Sequence, residues 1–295
     1  MMLFQSDLAM YDRRELANQG MVASIATRSK TKCDQISPLC IYSICEALGL
    51  VVRFNNINME GMYQKGIPPR IHLSAMRPLQ RRTYNCAHEL GHHIFGHGSS
   101  IDELRREAST PLKDPKEFLV DAFAGFLLMP TLGIRRAFAV RGWDSQTVTP
   151  SQLFVLACEF GVGYSALVTH LAVSLSLISK SRSEFLKRAT PKGIRATLLG
   201  QVTENPLIIV DEHCSAPTLD SEVGTYALLP PDARVEGDIL RFEVDRDGHP
   251  LYRAIRPGIV RVETANRGLG LFIRVARKEY VGLAKYRHLE DDPDE

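Results

Sequence analysis

Two features that the sequence lacks narrow its class. Its six cysteines form no Cys-x-x-Cys pair and no regular spacing, which argues against a disulfide framework and favours reduced thiols. Its longest apolar run, residues 167–178, is shorter than the roughly 20 residues that cross a bilayer, and it contains His170. Because the first residues also lack the basic and apolar layout of a secretory signal, we expect a cytoplasmic protein with no membrane partner.

A strong net charge is also missing. The 36 lysines and arginines nearly balance the 34 acidic residues, which leaves a formal net charge of +2. Overall charge therefore predicts no strong affinity for nucleic acid, and any such binding would need a local basic patch. What is present is an ordinary globular composition, with 44% hydrophobic residues, and a length of 295 residues that predicts two or three domains.

The mixture of helix-like and strand-like segments changes along the sequence and predicts an α+β fold with three regions. Residues 1–140 mix helix-like and strand-like segments, and residues 141–195 are helical. Residues 196–295 contain short strand-like runs separated by glycine, proline and aspartate, with a hairpin turn expected at Asp247-Gly248. We therefore expect a mixed first domain, a helical segment and a β-rich C-terminal domain.

The first region has a readable order of elements. A helix begins after Ser37-Pro38 and ends at Gly49, because an N-cap precedes its apolar spacing and a glycine follows it. Further elements are indicated by alternating or helical apolar patterns. They are strands at 51–59 and 67–75 with turn residues at 61–66 between them, and helices at 80–96 and 116–129.

The clearest chemical motif is His88-Glu89-Leu90-Gly91-His92, an HExxH run. On a helix, residues four apart emerge from nearly one face, so His88 and His92 can bind one Zn²⁺ at about 2.0–2.1 Å. Glu89 lies about 100° around that helix, where its carboxylate can take a proton from a water activated by the metal. It is the candidate general base. The motif also arises by chance as a polar helix with two exposed histidines, so its context has to support it.

A catalytic zinc site needs a third protein ligand. The spacing HExxHxxGxxH would require glycine at position 95 and histidine at position 98, whereas the sequence has Phe95 and Gly98. His93 and His97 point away from the ligand face of the HExxH helix if that helix is continuous. We therefore expect both of them to be surface or structural histidines rather than metal ligands.

The third ligand is expected from the helix at 116–129, which is apolar over most of its circumference. Glu117 and Asp121 interrupt it four residues apart on one face, and buried carboxylates are costly unless they are paired or bound to a metal. We assign Glu117 as the third ligand and Asp121 as the acceptor of an N–H from a ligating imidazole. The alternative is an exposed first-turn Glu117, favoured by the helix dipole, and an Asp121 that only forms a salt bridge.

Residues from about 40 to 130 resemble the ImmA/IrrE family of zinc metallopeptidases. The resemblance rests on RRTYNCAHELGHHIFGH and EFLVDAFAGFLLMP, which are similar to the family's HExxH helix and its glutamate-bearing helix. It implies a zincin-like domain in which His88, His92 and Glu117 bind Zn²⁺, or Mn²⁺ in the cell, and Glu89 is catalytic. Family members often have asparagine at the position of Asp121, so the role of this residue rests on its spacing alone.

The resemblance also implies a biological role. The substrate would be a helix-turn-helix transcriptional repressor, whose cleavage derepresses stress-response or mobile-element genes, and the C-terminal region could act as a sensor. The residues themselves indicate no sensor ligand, because His213-Cys214 lacks partners for a metal site. Nor does the sequence choose among Tyr63, Tyr84 and His97 as the donor that would stabilise the oxyanion of a tetrahedral intermediate.

A competing hypothesis comes from the helical segment. Residues 152–171 have the form helix, Gly-Val turn, helix, as in a helix-turn-helix unit. The second helix, expected over 164–178, contains no lysine or arginine, but six basic residues follow between 180 and 195. This stretch can contact phosphates or be a solvated helix face. A DNA-binding regulator with a structural or vestigial metal site is thus the alternative function, although a structural site would not need Glu89.

Overall fold

The computed structural model describes residues 12–102, 114–264 and 270–290, which form a mixed α+β fold. The helices are α1 (Arg13–Lys30), α2 (Ile41–Ala47), α3 (Leu79–Ile94), α4 (Pro115–Leu128), α5 (Thr131–Val140), α6 (Pro150–Glu159), α7 (Tyr164–Thr169), α8 (Lys180–Leu186) and α9 (Pro191–Leu199). The strands are β1 (Val51–Asn55), β2 (Gly61–Gln64), β3 (Arg70–Ser74), β4 (Ser100–Asp102), β5 (Leu207–Ile209), β6 (Thr218–Glu222), β7 (Tyr226–Leu228), β8 (Ala233–Val235), β9 (Leu240–Arg246), β10 (His249–Ala254), β11 (Gly258–Thr264), β12 (Gly270–Ala276) and β13 (Gly282–Leu283). The predicted α+β class is confirmed.

Five strands form the first sheet, in the order β13-β1-β3-β2-β4. β1 and β3 are parallel, and the other neighbours pair antiparallel. The expected turn over residues 61–66 is wrong in its first part, because Gly61–Gln64 is strand β2. Glycines at both ends of this segment suggested a turn, but Gly61 and Tyr63 are buried on the side that faces α3, and β2 is paired along both edges.

Helix α1, which the sequence analysis did not predict, holds α4 in place. Gly20 lies so close to α4 that an added Cβ would be 2.8 Å from the backbone nitrogen of Phe123. The buried Arg28 donates through Nε and Nη2 to the carbonyl oxygen of Leu127 at the end of α4. This bond satisfies a carbonyl at a helix terminus, where partners within the helix are missing. Burial lowers the pKa of Arg28 to about 10, which leaves it charged near neutral pH.

Helices α3 and α4 are both present, with ends close to the predicted ones. Asp114 is the N-cap of α4 and accepts a hydrogen bond from the Lys116 backbone N–H at 2.8 Å. The two helices pack closely at Gly91, where an added Cβ would be 2.9 Å from the Cβ of Val120. A larger residue at Gly91 would separate the helices, so this glycine sets the distance between the HExxH motif and the carboxylates of α4.

The helical middle of the chain contains the predicted helix-turn-helix form. The chain bends by 104° between α6 and the helical stretch Tyr164–Ser174, which begins with α7, and the turn includes Gly161 with a φ of 63°. That angle lies within the range of helix-turn-helix units. Across the described ranges, no single helix combines the length and apolarity that are needed to cross a membrane.

The second of these helices is shorter than predicted. It ends at Thr169 and continues as a π-helical segment, His170–Ser174, in which Leu175 N–H donates to the His170 carbonyl oxygen. The His170 side chain is buried, and its Nε2 is 3.0 Å from the carbonyl oxygen of Met129, to which it donates. Burial lowers the pKa of His170 to about 4, so it stays neutral and links this segment to the end of α4.

The β-rich end forms two four-stranded sheets, β5-β7-β10-β9 and β6-β12-β11-β8. The predicted hairpin is confirmed: Asp247 (φ 52°) and Gly248 (φ 83°) join β9 to β10. Positive φ at both central residues is the requirement of a type I′ turn, which aspartate and glycine meet most easily.

Several contacts join this end of the chain to the first sheet and the helices. β13 pairs with β1, and the buried Arg82 of α3 forms an ion pair with Glu222 of β6. Arg141 bonds to Glu159 at 2.8 Å and to Asp211 at 2.6 Å, with its own side chain almost fully buried. The divisions that we expect near residues 140 and 195 stay predictions.

Candidate metal centre

Helices α3 and α4 bring three predicted ligands to one place. His88 and His92 lie one turn apart on α3 and are both buried, while Glu117 lies in the first turn of α4 and is partly exposed. The first turn favours a carboxylate because the helix dipole is positive there. The side chain of Glu117 nevertheless turns toward the two imidazoles rather than into solvent.

The three side chains present their ligand atoms at matching distances. His88 Nε2 is 3.2 Å from His92 Nε2, and the Glu117 carboxylate oxygens lie 3.4 and 3.5 Å from those two nitrogens. Ligands placed tetrahedrally at about 2.0–2.1 Å from one metal ion are about 3.3–3.4 Å apart. The residues therefore fit a single ion bound by two nitrogens and one carboxylate. Of the residues that the structure describes, these three form a group that could hold a metal.

Each imidazole has a polar partner on its other nitrogen. His88 Nδ1 is 2.8 Å from Asp121 Oδ1, the contact expected of Asp121 from its spacing. His92 Nδ1 is 3.1 Å from His97 Nδ1. A carboxylate can only accept here, so His88 carries its proton on Nδ1 and leaves Nε2 free to bind a metal. If His92 donates from Nδ1 to His97, its Nε2 is free in the same way.

Glu89 is fully buried beside the ligand pair on α3. Its carboxylate lies against Gly61 of β2, where an added Cβ would be 2.7 Å from Oε1 and 3.0 Å from Cγ. Because glycine has no side chain, the backbone at Gly61 leaves room for the Glu89 carboxylate. The strand that was predicted as a turn fixes one wall of the site.

Residues 45–171 match the family model Peptidase_M78, described as the IrrE N-terminal-like domain. The chain carries an IrrE N-terminal-like domain. The resemblance to the ImmA/IrrE family is confirmed, and this segment is similar to a family of peptidases. The match includes α3, α4 and the helix-turn-helix form, so it runs past the division that we predict near residue 140. A search of curated proteins finds no match.

In the IrrE N-terminal-like domain, His97 contacts His92. The sequence predicted a helix that ends at Gly96 and a surface or structural role for His97, but not this contact. Gly96, with a φ of 66°, ends the helix and turns the chain back, and the His97 backbone N–H donates to the His92 carbonyl oxygen at 3.0 Å. The ring of Phe95 stacks on the His97 ring. The signal was present in the sequence as a glycine one residue before a histidine, since a left-handed C-cap reverses the chain direction.

We expect His97→Ala to weaken metal binding by about 10–100-fold, because His97 orients His92 and its loss removes a hydrogen bond from a ligating imidazole. The measurement is zinc affinity by competition with a chromophoric chelator. His97→Gln offers a new polar partner and should recover part of the affinity. His213→Ala, a histidine on the C-terminal side of the fold, is the matched control. Unchanged affinity in His97→Ala would show that His97 does not position His92.

We also expect Gly61→Ala to displace the Glu89 carboxylate and to lower peptidase turnover by up to about 10²-fold, the effect of a misplacement near 1 Å. Metal content should stay unchanged, because the three atoms nearest to the added Cβ all belong to Glu89, which is not one of the three ligands. Gly66→Ala is the matched control, since its nearest atom, the Pro68 carbonyl oxygen, would be 3.4 Å from the new Cβ. Full turnover in Gly61→Ala would mean that Glu89 tolerates the methyl group.

The remaining candidates from the sequence are engaged elsewhere. Tyr63 Oη is 2.8 Å from His93 Nδ1, and Tyr84 donates to the Asp121 backbone oxygen at 3.2 Å. None of these contacts selects one residue as the oxyanion donor.

Proposed function

We propose that the chain is a zinc-dependent metallopeptidase that hydrolyses a peptide bond in a regulatory protein. The observation that carries this proposal is the set of three ligand atoms 3.2–3.5 Å apart, with the buried Glu89 next to two of them on one helix. A merely structural site would need no carboxylate beside the ligands. The membership of residues 45–171 in a peptidase family supports the same conclusion.

Each residue of the site would have a distinct role in this reaction. His88, His92 and Glu117 would hold the metal, and Asp121 and His97 would fix the ring orientations of the two histidines. When bound, the metal supplies Lewis acidity toward water and the substrate carbonyl. Glu89 would take a proton from the attacking water and pass it to the leaving amine. Burial of Glu89 keeps its carboxylate in a fixed position for both transfers.

Zinc is our proposal for the metal, with manganese as the second candidate in the cell. Two imidazoles and one carboxylate are the ligand set of catalytic zinc sites that keep a fourth position for water or substrate. Imidazole suits zinc better than it suits manganese, which prefers carboxylate and water ligands. A mixed set does not exclude manganese when it is the more available ion.

For the substrate we propose a helix-turn-helix transcriptional repressor, cleaved in the cytoplasm to switch on stress-response or mobile-element genes. The family relationship supports this proposal. The near-neutral net charge is compatible with it, because a peptidase that acts on a protein does not need a strong field.

One observation favours the alternative of DNA binding. Lys180, Lys187 and Arg188 are exposed around α8, just after the helix-turn-helix form. The other basic residues of this stretch are partly engaged: Arg182 donates to the Val148 carbonyl oxygen, and Lys192 pairs with Glu204. A gel shift with DNA from the adjacent control region tests this alternative, and neutralising Lys187 and Arg188 should abolish any shift that phosphate contacts produce.

The decisive experiment incubates the full chain, loaded with Zn²⁺ or Mn²⁺, with the repressor encoded beside its gene and with a proteome-derived peptide library. Mass spectrometry of new amino termini is the readout. We expect cleavage of the repressor that a chelator stops and that added metal restores. Cleavage of library peptides alone would support the peptidase and reject the repressor. No metal-dependent cleavage in either sample would reject the peptidase.

A further inference from the structure

A cavity of about 530 Å³ lies between α3 and the helical middle of the chain, apart from the three predicted metal ligands. Its walls are mainly apolar, with Tyr84 of α3, Phe154 of α6, Val162 in the turn, and Leu207 of β5 among the lining residues. Pockets for small ligands typically measure about 300–1,000 Å³ and combine apolar walls with a few polar groups. The size and the walls of this cavity therefore suit one small organic molecule.

The charged groups at the cavity have one sign. Arg195 of α9 lines it and is half-buried, and burial lowers the pKa of its guanidinium. The nearby Glu204 carboxylate, which forms an ion pair with Lys192, raises that pKa in part. Within the described ranges no carboxylate lies at ion-pair distance from Arg195 itself, and its buried Nε has no hydrogen-bond partner. A cation in partly apolar surroundings is costly when its counter-charge is shared with another cation and lies beyond ion-pair distance.

The second cation at the cavity is only partly neutralised. Arg81 of α3 also lines the cavity and binds Glu60 through two hydrogen bonds of 2.7 and 2.9 Å. Glu60 also forms an ion pair with Arg77, whose Nε is 3.1 Å from Glu60 Oε1. Two guanidinium groups thus share one carboxylate, and an excess of positive charge remains at this wall.

We propose that this cavity binds a small organic anion with an apolar body, such as an aliphatic or aromatic carboxylate. Its body would contact Tyr84, Phe154 and Val162, and its carboxylate would pair with Arg195. Charge-assisted hydrogen bonds of a carboxylate to a guanidinium are among the stronger ones in proteins. The proposal goes beyond peptidase activity and does not depend on it, because its test measures binding alone.

Gly163 offers a clean way to fill the cavity. It lines the cavity and precedes α7 with φ −69° and ψ 142°, a conformation that any residue adopts. An added Cβ there would meet no atom within 4 Å. The Cβ of Gly163→Phe therefore fits without a clash, and we expect its ring to reduce the space that is open to a ligand. Gly270, where an added Cβ also meets nothing within 4 Å, gives the matched control Gly270→Phe.

The test uses anilinonaphthalene sulfonate, an apolar anion whose fluorescence rises in apolar surroundings, as the probe for the full chain. We expect saturable one-to-one binding that Gly163→Phe weakens by about 10-fold or more, as expected from the loss of one buried apolar contact surface. Gly270→Phe should bind normally, and thermal unfolding should show that both variants are folded. Equal binding by folded Gly163→Phe would place the probe elsewhere and overturn the proposal.

A second arm tests the charge. Octanoate should displace the probe at lower concentration than octanol, which has the same chain without the carboxylate. Arg195→Gln should weaken octanoate binding by about 10-fold or more, since a hydrogen bond to a charged group contributes roughly 1.5–3 kcal/mol. Arg188→Gln, at an exposed arginine outside the cavity, is the control. Equal displacement by octanoate and octanol would reject an anion site.

Discussion

Glu89→Gln should abolish most peptide hydrolysis while the protein keeps its full metal content. The substitution preserves the shape of the side chain but removes the carboxylate that takes the proton, and general base catalysis typically contributes about 10²–10⁴-fold. Because Glu89 is fully buried and pressed against Gly61, the amide should occupy the same place without a change in the fold. Turnover per metal ion, measured on the repressor or on any library peptide that is cleaved, is the quantity to compare.

The control for this experiment is metal analysis of the same preparation. Glu89 contributes no atom to the group of three ligand side chains, so the variant should bind one ion per chain like the parent. Equal turnover in the variant and the parent would remove Glu89 from the mechanism. Loss of the metal in Glu89→Gln would instead mean that the carboxylate belongs to the ligand set.

Glu117→Ala should lower the metal content from one ion per chain to well below one at micromolar zinc. Loss of a group that only orients a ligand typically reduces affinity by about 10–100-fold, and loss of a direct ligand should reduce it further. Glu117 supplies both oxygens that face the two imidazoles at 3.4 and 3.5 Å, and removing them leaves only two nitrogen ligands. Elemental analysis after dialysis gives the readout.

Glu184→Ala is a matched control for that variant, because Glu184 is an exposed carboxylate on α8. It should retain the metal. Stoichiometric zinc in Glu117→Ala would reject Glu117 as a ligand. Retained zinc is the result expected if Glu117 is an exposed first-turn glutamate that interacts only with the helix dipole.

Sequence patterns predicted the parts of the site that depend on one helix at a time. Four-residue spacing placed His88 and His92 together, and the same spacing placed Glu117 and Asp121 on one face of α4. Contacts that depend on a change of chain direction were not predicted. His97 reaches His92 only because Gly96 reverses the chain, and a helical projection cannot represent that.

The fold was predictable to a similar extent. Elements with a clear apolar period were found, including α3, α4 and the hairpin at Asp247. Helix α1 was not found because its buried face consists of small or polar residues, including Gly20, Ser24 and Thr27, rather than an apolar stripe. The pairing of β13 with β1 joins residues more than 200 positions apart, which no local pattern encodes.

That pairing bears on how the chain can be shortened. The segment matched by the family model ends at residue 171, yet β1 takes one of its neighbours from residues 282–283, and Arg82 takes its counter-charge from residue 222. A fragment that ends at residue 171 would expose an edge of β1 that is prone to pair with other molecules. It would also leave the buried guanidinium of Arg82 without its counter-charge. We therefore expect residues 45–171 alone to be less stable than the full chain, because two of their contacts are made with residues that the family model does not include.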